Sequence, residues 1–233
     1  EEENDLDKVM YETISSIIKA KNQENIPFAV FKPSGLARFN LLGKISSKKE
    51  LSPEQNKERI DFEKRVECIC KTSYENKVPV FIDAEESWIQ DAIDNISLKM
   101  MKKFNQKSTY IFNTIQLYRR DRIKYLNELI TYAKKGSFLI GVKLVRGAYH
   151  EKEIARAENM GYLCPVYKIK KDTDRDYNQA IETCIKNIDI ISICAGTHNE
   201  ESSMLLIKLM KKYNIVKNDK RIYFSQLLGM SDH

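Results

Sequence analysis

The sequence predicts an α/β protein of the (β/α)8 TIM-like barrel class, carried through about six βα units. Three observations lead to that class. Short β-branched segments alternate with helical segments six times in succession, the pattern of a parallel sheet covered by helices. An open nucleotide-binding sheet should carry a glycine-rich phosphate loop after its first strand, and neither GxGxxG nor a Walker-type Gly-Lys-Ser/Thr loop occurs. Each strand also ends on a polar residue: Lys32, Asp83, Gln116, Arg146, His198 and Gln226. In a barrel such ends converge on one mouth, where barrel chemistry is found. Eight units need roughly 250 residues. A chain of 233 residues with six units therefore predicts one catalytic domain over 1–233, short of its last two strands and helices, with residues 1–25 as a helical lead-in.

Residues 6–20 place Leu6, Val9, Met10, Ile14, Ile17 and Ile18 at helical spacing. A strand over 26–31 follows, closed by the turn residues Lys32-Pro33-Ser34-Gly35. Residues 40–52 read as polar and irregular, and Ser52-Pro53 signals the start of a helix over 54–76. The second strand, 78–82, ends in Asp83-Ala84-Glu85-Glu86, and a helix with Ile89, Ile93, Ile96, Met100 and Phe104 in phase comes next. The third strand, 109–112, precedes Asn113-Thr114-Ile115-Gln116 and a helix over 118–135. The fourth, 138–145, leads through Arg-Gly-Ala-Tyr into a charged helix over 151–159. A connector over 161–173 precedes a helix over 174–187 with Tyr177, Ile181, Cys184 and Ile188 in phase. The fifth strand, 190–195, ends Gly196-Thr197-His198-Asn199 before a helix over 200–213, and the sixth, 222–224, ends Ser225-Gln226-Leu227-Leu228-Gly229.

A hydrophobic fraction of 42% supports a packed core, and a net charge of +6 is mild for this length. Lysine is scattered through the helices, without the basic stripe or motif that nucleic-acid binding calls for. Five cysteines in no zinc-like spacing read as reduced, mostly buried thiols of an intracellular protein. No apolar run reaches the roughly 18 residues of a membrane span, and no signal peptide is visible.

Lys143 within an apolar strand is the sharpest local signal, because an unpaired buried ammonium is strongly disfavoured unless an anion or electron-rich ligand meets it. The blander reading has it snorkel or pair with a carboxylate. With Lys32 and Arg146 it gives the predicted mouth a cationic character suited to phosphate, pyrophosphate or carboxylate. Taken singly, Asp83 also reads as an N-cap and His198 as a hydrogen-bonded structural histidine. Three histidines without HxH or HExxH predict no metal site, and no GxSxG elbow is present. A second chemistry is open to Lys143: a Schiff-base nucleophile of a barrel lyase or aldolase, with Arg146 depressing its basicity.

Four separated motifs in order resemble the proline dehydrogenase family: Lys-Leu-Val-Arg-Gly-Ala-Tyr at 143–149, Phe-Ile-Asp-Ala-Glu-Glu at 81–86, Ala-Gly-Thr-His-Asn-Glu at 195–200 and Phe-Ser-Gln-Leu-Leu-Gly-Met-Ser-Asp-His at 224–233. Segments 112–121 and 31–39 fit in register. The resemblance implies a modified (β/α)8 barrel that binds FAD at the strand C-termini, oxidises L-proline to 1-pyrroline-5-carboxylate and passes electrons to a quinone. It places Lys143 by the flavin N5 and Gln116 at the pyrimidine edge. Arg146, Gly147, Ala148 and Lys170 would hold the phosphates and ribityl-adenosine part. Thr197, His198 and Asn199 would line the cofactor, with Gln226 and Leu227 close by. Asp83, Tyr149 and Leu228 would shape the proline pocket, and Lys32 would serve the substrate carboxylate. A quinone partner implies peripheral membrane contact. The family's compartment would be mitochondrial in a eukaryote, and cytoplasmic or peripheral to the membrane in a bacterium.

Two family features fall outside this sequence: an Arg-Arg pair on the final helix and a tyrosine on the seventh unit. The expectation is that residues 1–233 alone bind FAD poorly, turn over little proline and aggregate through an open sheet edge. His150 stands where relatives often place an aromatic or apolar residue, and would stack on the adenine side or face solvent.

Overall fold

The computed structural model describes residues 3–229 in two compact units that divide after Asn113. Six strands form one parallel sheet in sequence order: β1 (Ala29–Phe31), β2 (Val80–Ile82), β3 (Ile111–Gln116), β4 (Ile140–Val145), β5 (Ile191–Gly196) and β6 (Ile222–Ser225). Sequential neighbours with helices between them are the (β/α)8 pattern the alternation predicts, and the described residues supply six of its strands. β1 and β6 are the edge strands, and each exposes a large apolar side chain, Val30 and Phe224.

Unit 1 carries α1 (Glu3–Ala20), α2 (Phe39–Ser46), α3 (Pro53–Asn76) and α4 (Ser87–Phe104) around β1, β2 and the first half of β3. In-register parallel pairs run Ala29 to Val80 to Ile111 and Phe31 to Ile82 to Asn113. Phe28 stacks on Phe81 with centroids 4.1 Å apart, and Phe112 meets both edge-on at 5.2 and 5.6 Å. Such geometries add about 0.5–1.5 kcal/mol each beyond the area they bury. α3 begins where Ser52-Pro53 predicts: Ser52 Oγ accepts from Gln55 N, and Gln55 Oε1 accepts from Ser52 N, a capping box that satisfies two otherwise orphaned amides. Lys77 closes it in the left-handed region at φ 57°.

Two expectations in unit 1 need correction. Residues 40–52, read as irregular, contain helix α2, which buries Leu41 and Leu42. The helix is eight residues long, has no side-chain cap and carries Gly43, so its two apolar anchors were outweighed by polar surroundings. The third strand does not stop at residue 112. It runs to Gln116, and the polar Asn113, Thr114 and Gln116 are buried in it. Asn113 is tolerated there because its amide donates to Asp94 at 2.9 Å and its carbonyl accepts from Ser97 at 3.2 Å.

Unit 2 holds the second half of β3, then β4, β5 and β6, with α5 (Arg122–Gly136), α6 (His150–Met160), α7 (Lys170–Lys186) and α8 (Glu200–Lys212). Ile140, Val142, Leu144, Ile191, Ile193 and Ala195 are buried on one face of the β4–β5 pair, and Ser192 and Cys194 are buried on the other, where Lys143 is half-buried. α7 buries Tyr177, Ile181 and Cys184, the phase read from sequence, but starts at Lys170 inside the expected connector. All five cysteines are free: Cys70, Cys184 and Cys194 are buried, Cys164 half-buried and Cys68 exposed. No helix among the described residues is long and apolar enough to cross a membrane.

Candidate active site

In unit 1 the ends of β1 and β2 bring two predicted residues together. Lys32 Nζ lies 3.3 Å from Asp83 Oδ2, and the Asp83 amide donates to Phe31 O at 3.0 Å, continuing the ladder one step past β2. Asp83 does not cap the following helix; Glu86 holds the N-cap position of α4, without a side-chain cap bond. Below this pair lies a buried polar chain that sequence reasoning missed. Glu85 accepts from Ser34 N at 2.9 Å and from Ser34 Oγ, and its own amide donates to Gln90 Oε1 at 2.9 Å. Gln90 and Asn113 then both donate to Asp94 Oδ1 at 2.9 Å. Burial pushes the Glu85 carboxyl above the ordinary range, against the bonds from Ser34 and the charge of Lys32. The only sequence trace of this chain was three polar residues on helix and strand faces that should have been apolar.

In unit 2 the β4 end is held from several sides. The Leu117 amide donates to Val145 O at 2.8 Å and the Tyr118 amide to Arg146 O at 2.7 Å, so β3 and β4 stay joined beyond their last residues. Gln116, buried, accepts from the Ala148 amide at 3.1 Å. Gly147 has φ +145°, and a Cβ there would sit 2.5 Å from the Tyr118 ring, so only glycine fits. Lys143 is half-buried opposite Cys194 in the β4–β5 register.

Arg146 is a hub. Its Nε donates to Asp174 Oδ1 at 2.7 Å, Nη1 to Thr197 Oγ1 at 2.6 Å and Nη2 to Ser202 Oγ at 3.0 Å, while the guanidinium lies 4.4 Å over the Tyr177 ring. Lys170 takes the other Asp174 oxygen at 2.6 Å, so the two cations expected at the phosphates share one carboxylate. Burial raises the Asp174 carboxyl, but the bonds from Lys170 and Arg146 outweigh it and hold it below the usual range. Thr197 also accepts from the Asn199 amide at 2.9 Å, and Asn199 N-caps α8 by accepting from Ser202 N at 2.8 Å. His198 Nε2 accepts from the Leu227 amide at 3.1 Å, which fixes its proton on Nδ1 when neutral and ties the β5 end to the segment after β6. Gln226, Leu227 and Leu228 are exposed, and Met230, Ser231, Asp232 and His233 of the last motif lie outside the described residues. Tyr149 is the N-cap of α6, with Lys152 Nζ 5.5 Å from its ring centre. His150 is exposed and bonds the Tyr167 carbonyl at 2.9 Å.

A family model described as proline dehydrogenase matches residues 1–233. The chain belongs to the proline dehydrogenase family. It is 33% identical over 229 residues to proline dehydrogenase 1, mitochondrial, of Drosophila melanogaster, covering 94% of this chain and 33% of that protein. To the carbapenem antibiotics biosynthesis protein CarD of Pectobacterium carotovorum it is 33% identical over 232 residues, 100% of this chain and 59% of CarD. Its fold matches proline utilization A from Bdellovibrio bacteriovorus with a TM-score of 0.83 at 20% identity, over 98% of this chain and 24% of that one. The chain thus spans about a quarter to three fifths of the length of these relatives.

Proline dehydrogenase relatives raise the question of whether these residues fit a flavin dinucleotide. Among the described residues, three buried side-chain polar atoms lack a partner: Tyr118 OH, Arg119 Nη1 and His198 Nδ1. All three follow directly on strand C-termini in unit 2, where unpaired buried donors are costly unless a ligand meets them. Lys143, Arg146 and Lys170 supply cationic charge, and Gln116 and Asn199 supply amides, on the same strand ends and helix starts. That donor set suits a diphosphate and an isoalloxazine edge, so the residues fit FAD.

Proposed function

We propose that this chain forms the catalytic part of an FAD-dependent proline dehydrogenase that oxidises L-proline to 1-pyrroline-5-carboxylate. Membership of the family supports the reaction class, and the single observation that carries the site is the set of orphaned buried donors beside a hub of cations at the strand ends of unit 2. Bound FAD would supply the two-electron acceptor, taking hydride equivalents from proline C5 and handing the electrons on to a quinone. Lys143 would lie on the N5 side of the bound flavin, where its ammonium would favour negative charge. Gln116 fixes the pyrimidine edge while its carbonyl keeps the turn at Ala148 in place. Arg146, Gly147, Ala148 and Lys170 form the phosphate and ribityl side, with Thr197, His198, Asn199, Gln226 and Leu227 lining the remainder. Arg146 does this with N–H groups left over from its bonds to Asp174, Thr197 and Ser202.

Lys32 pairs with the proline carboxylate, and Asp83, Tyr149 and Leu228 bound the substrate. A Lys32–Asp83 pair is well suited to an amino acid zwitterion, because one side chain matches each of its charges. The amine must lose a proton as the C5–H bond breaks, and the Asp83 carboxylate would receive it. A quinone acceptor puts the working protein at a membrane surface, mitochondrial in a eukaryote or peripheral in a bacterium. The test is product analysis. FAD-loaded protein carrying this chain, given L-proline and a soluble quinone, should yield a cyclic imine that condenses with o-aminobenzaldehyde. Absence of imine, or a borohydride-trapped adduct on Lys143 with a carbonyl substrate, sinks the proposal.

A further inference from the structure

We propose that Glu85 is a positioning residue: its carboxylate grips both donors of Ser34 and so sets Lys32 and Asp83 face to face at the ends of β1 and β2. This rests on the reading that Lys32 and Asp83 handle the substrate. Ser34 is the middle residue of the Pro33–Gly35 turn, one residue after Pro33 and two after Lys32. With Ser34 N held at 2.9 Å by one Glu85 oxygen and Ser34 Oγ by the other, the turn cannot swing, and the flexible Lys32 stem starts from a fixed backbone. Asp83 stands two residues before Glu85, so the same carboxylate anchors both partners of the 3.3 Å pair. Glu85 is itself fixed by Gln90 Oε1 on its amide, and Gln90 by Asp94, which Asn113 of β3 also bonds.

The burial of Glu85 points the same way. Its carboxyl is raised by desolvation, so its contribution to stability is present below the ordinary 4.5 and is lost as pH rises through the raised folded value. Ionising the group therefore works against the fold, which is the expected sign for a residue kept for geometry rather than stability.

Competitive acetylation of Lys32 in this chain, read by mass spectrometry, tests the proposal without cofactor or substrate. The Lys32 side chain is half exposed and open to the reagent. Glu85→Ala should raise Lys32 labelling to the level seen in Asp83→Asn. Glu85→Gln, which can accept from Ser34 N and donate to Ser34 Oγ, should restore most of the protection. Ser97→Ala, in the same buried chain but away from Ser34, should leave Lys32 labelling unchanged even where it lowers the melting temperature. In the FAD-loaded protein, Glu85→Ala should raise KM for proline by about tenfold to a hundredfold with a smaller change in kcat, the size expected of a misplaced binding group. Unchanged Lys32 labelling in a folded Glu85→Ala protein overturns the proposal, as does an equal change in Ser97→Ala. Should Glu85→Ala fail to fold, Ser34→Ala decides: a partial rise supports the grip, and none overturns it. If labelling responds as stated while no variant or parent oxidises proline, the substrate reading fails and the positioning role stands.

Discussion

Gly147 concentrates what single residues do here. Its φ of +145° and the Tyr118 ring 2.5 Å from a hypothetical Cβ leave no room for any side chain. Gly147→Ala should destabilise by about 1–3 kcal/mol through backbone strain and displaced packing. Because the Ala148 amide one residue on is bonded to Gln116, the variant should also weaken flavin retention, measurable by gel filtration of the loaded protein. Asp174 carries a pH dependence. Its folded pKa is depressed below the ordinary 3.8, so the stabilisation is complete above that value and disappears as pH falls through the folded one. Acid unfolding followed by circular dichroism should therefore shift to a shallower limb in Asp174→Asn, with Arg146 and Lys170 left to repel each other at every pH.

Residues of this kind were unevenly legible in the sequence. Lys143 stood out because a charge in an apolar strand is locally anomalous, whereas Asp83 taken singly read as an N-cap and Gly147 was noticed only through its motif. Glu85 did not, because an acid in a strand-to-helix loop is unremarkable until its burial is known, and Gln90 and Asp94 on the following helix were hidden in the same way. Thr197 and Asn199 were noticed for their motif, and their capping of α8 and contact with Arg146 depend on partners distant in sequence.

Elements were read best where a local rule was strong. Ser52-Pro53 announced α3, and the capping box delivers it; Ser52→Ala should cost about 1 kcal/mol, seen as a lower urea midpoint with an unchanged slope. α4 and α7 followed their apolar phase. α2 was missed because eight residues give only two buried anchors, and the end of β3 because tertiary partners, Asp94 and Ser97, make a polar strand face acceptable. In both cases packing overrode local propensity.

For the whole molecule, the alternation of strands and helices sufficed to give a sequential parallel sheet, since right-handed crossovers leave few other arrangements. The edge strands β1 and β6 leave Val30 and Phe224 open to solvent. On the function proposed above, the strand ends carry a flavin whose acceptor position is served by Lys143. The most direct measurement is anaerobic titration of the FAD-loaded protein with L-proline, following the visible flavin band. Stoichiometric bleaching in the parent, with Lys143→Met retaining flavin but bleaching at least about a hundredfold more slowly, is the predicted result; a protein that holds flavin tightly yet stays yellow in saturating proline, or a Lys143→Met variant that bleaches at the parent rate, contradicts it.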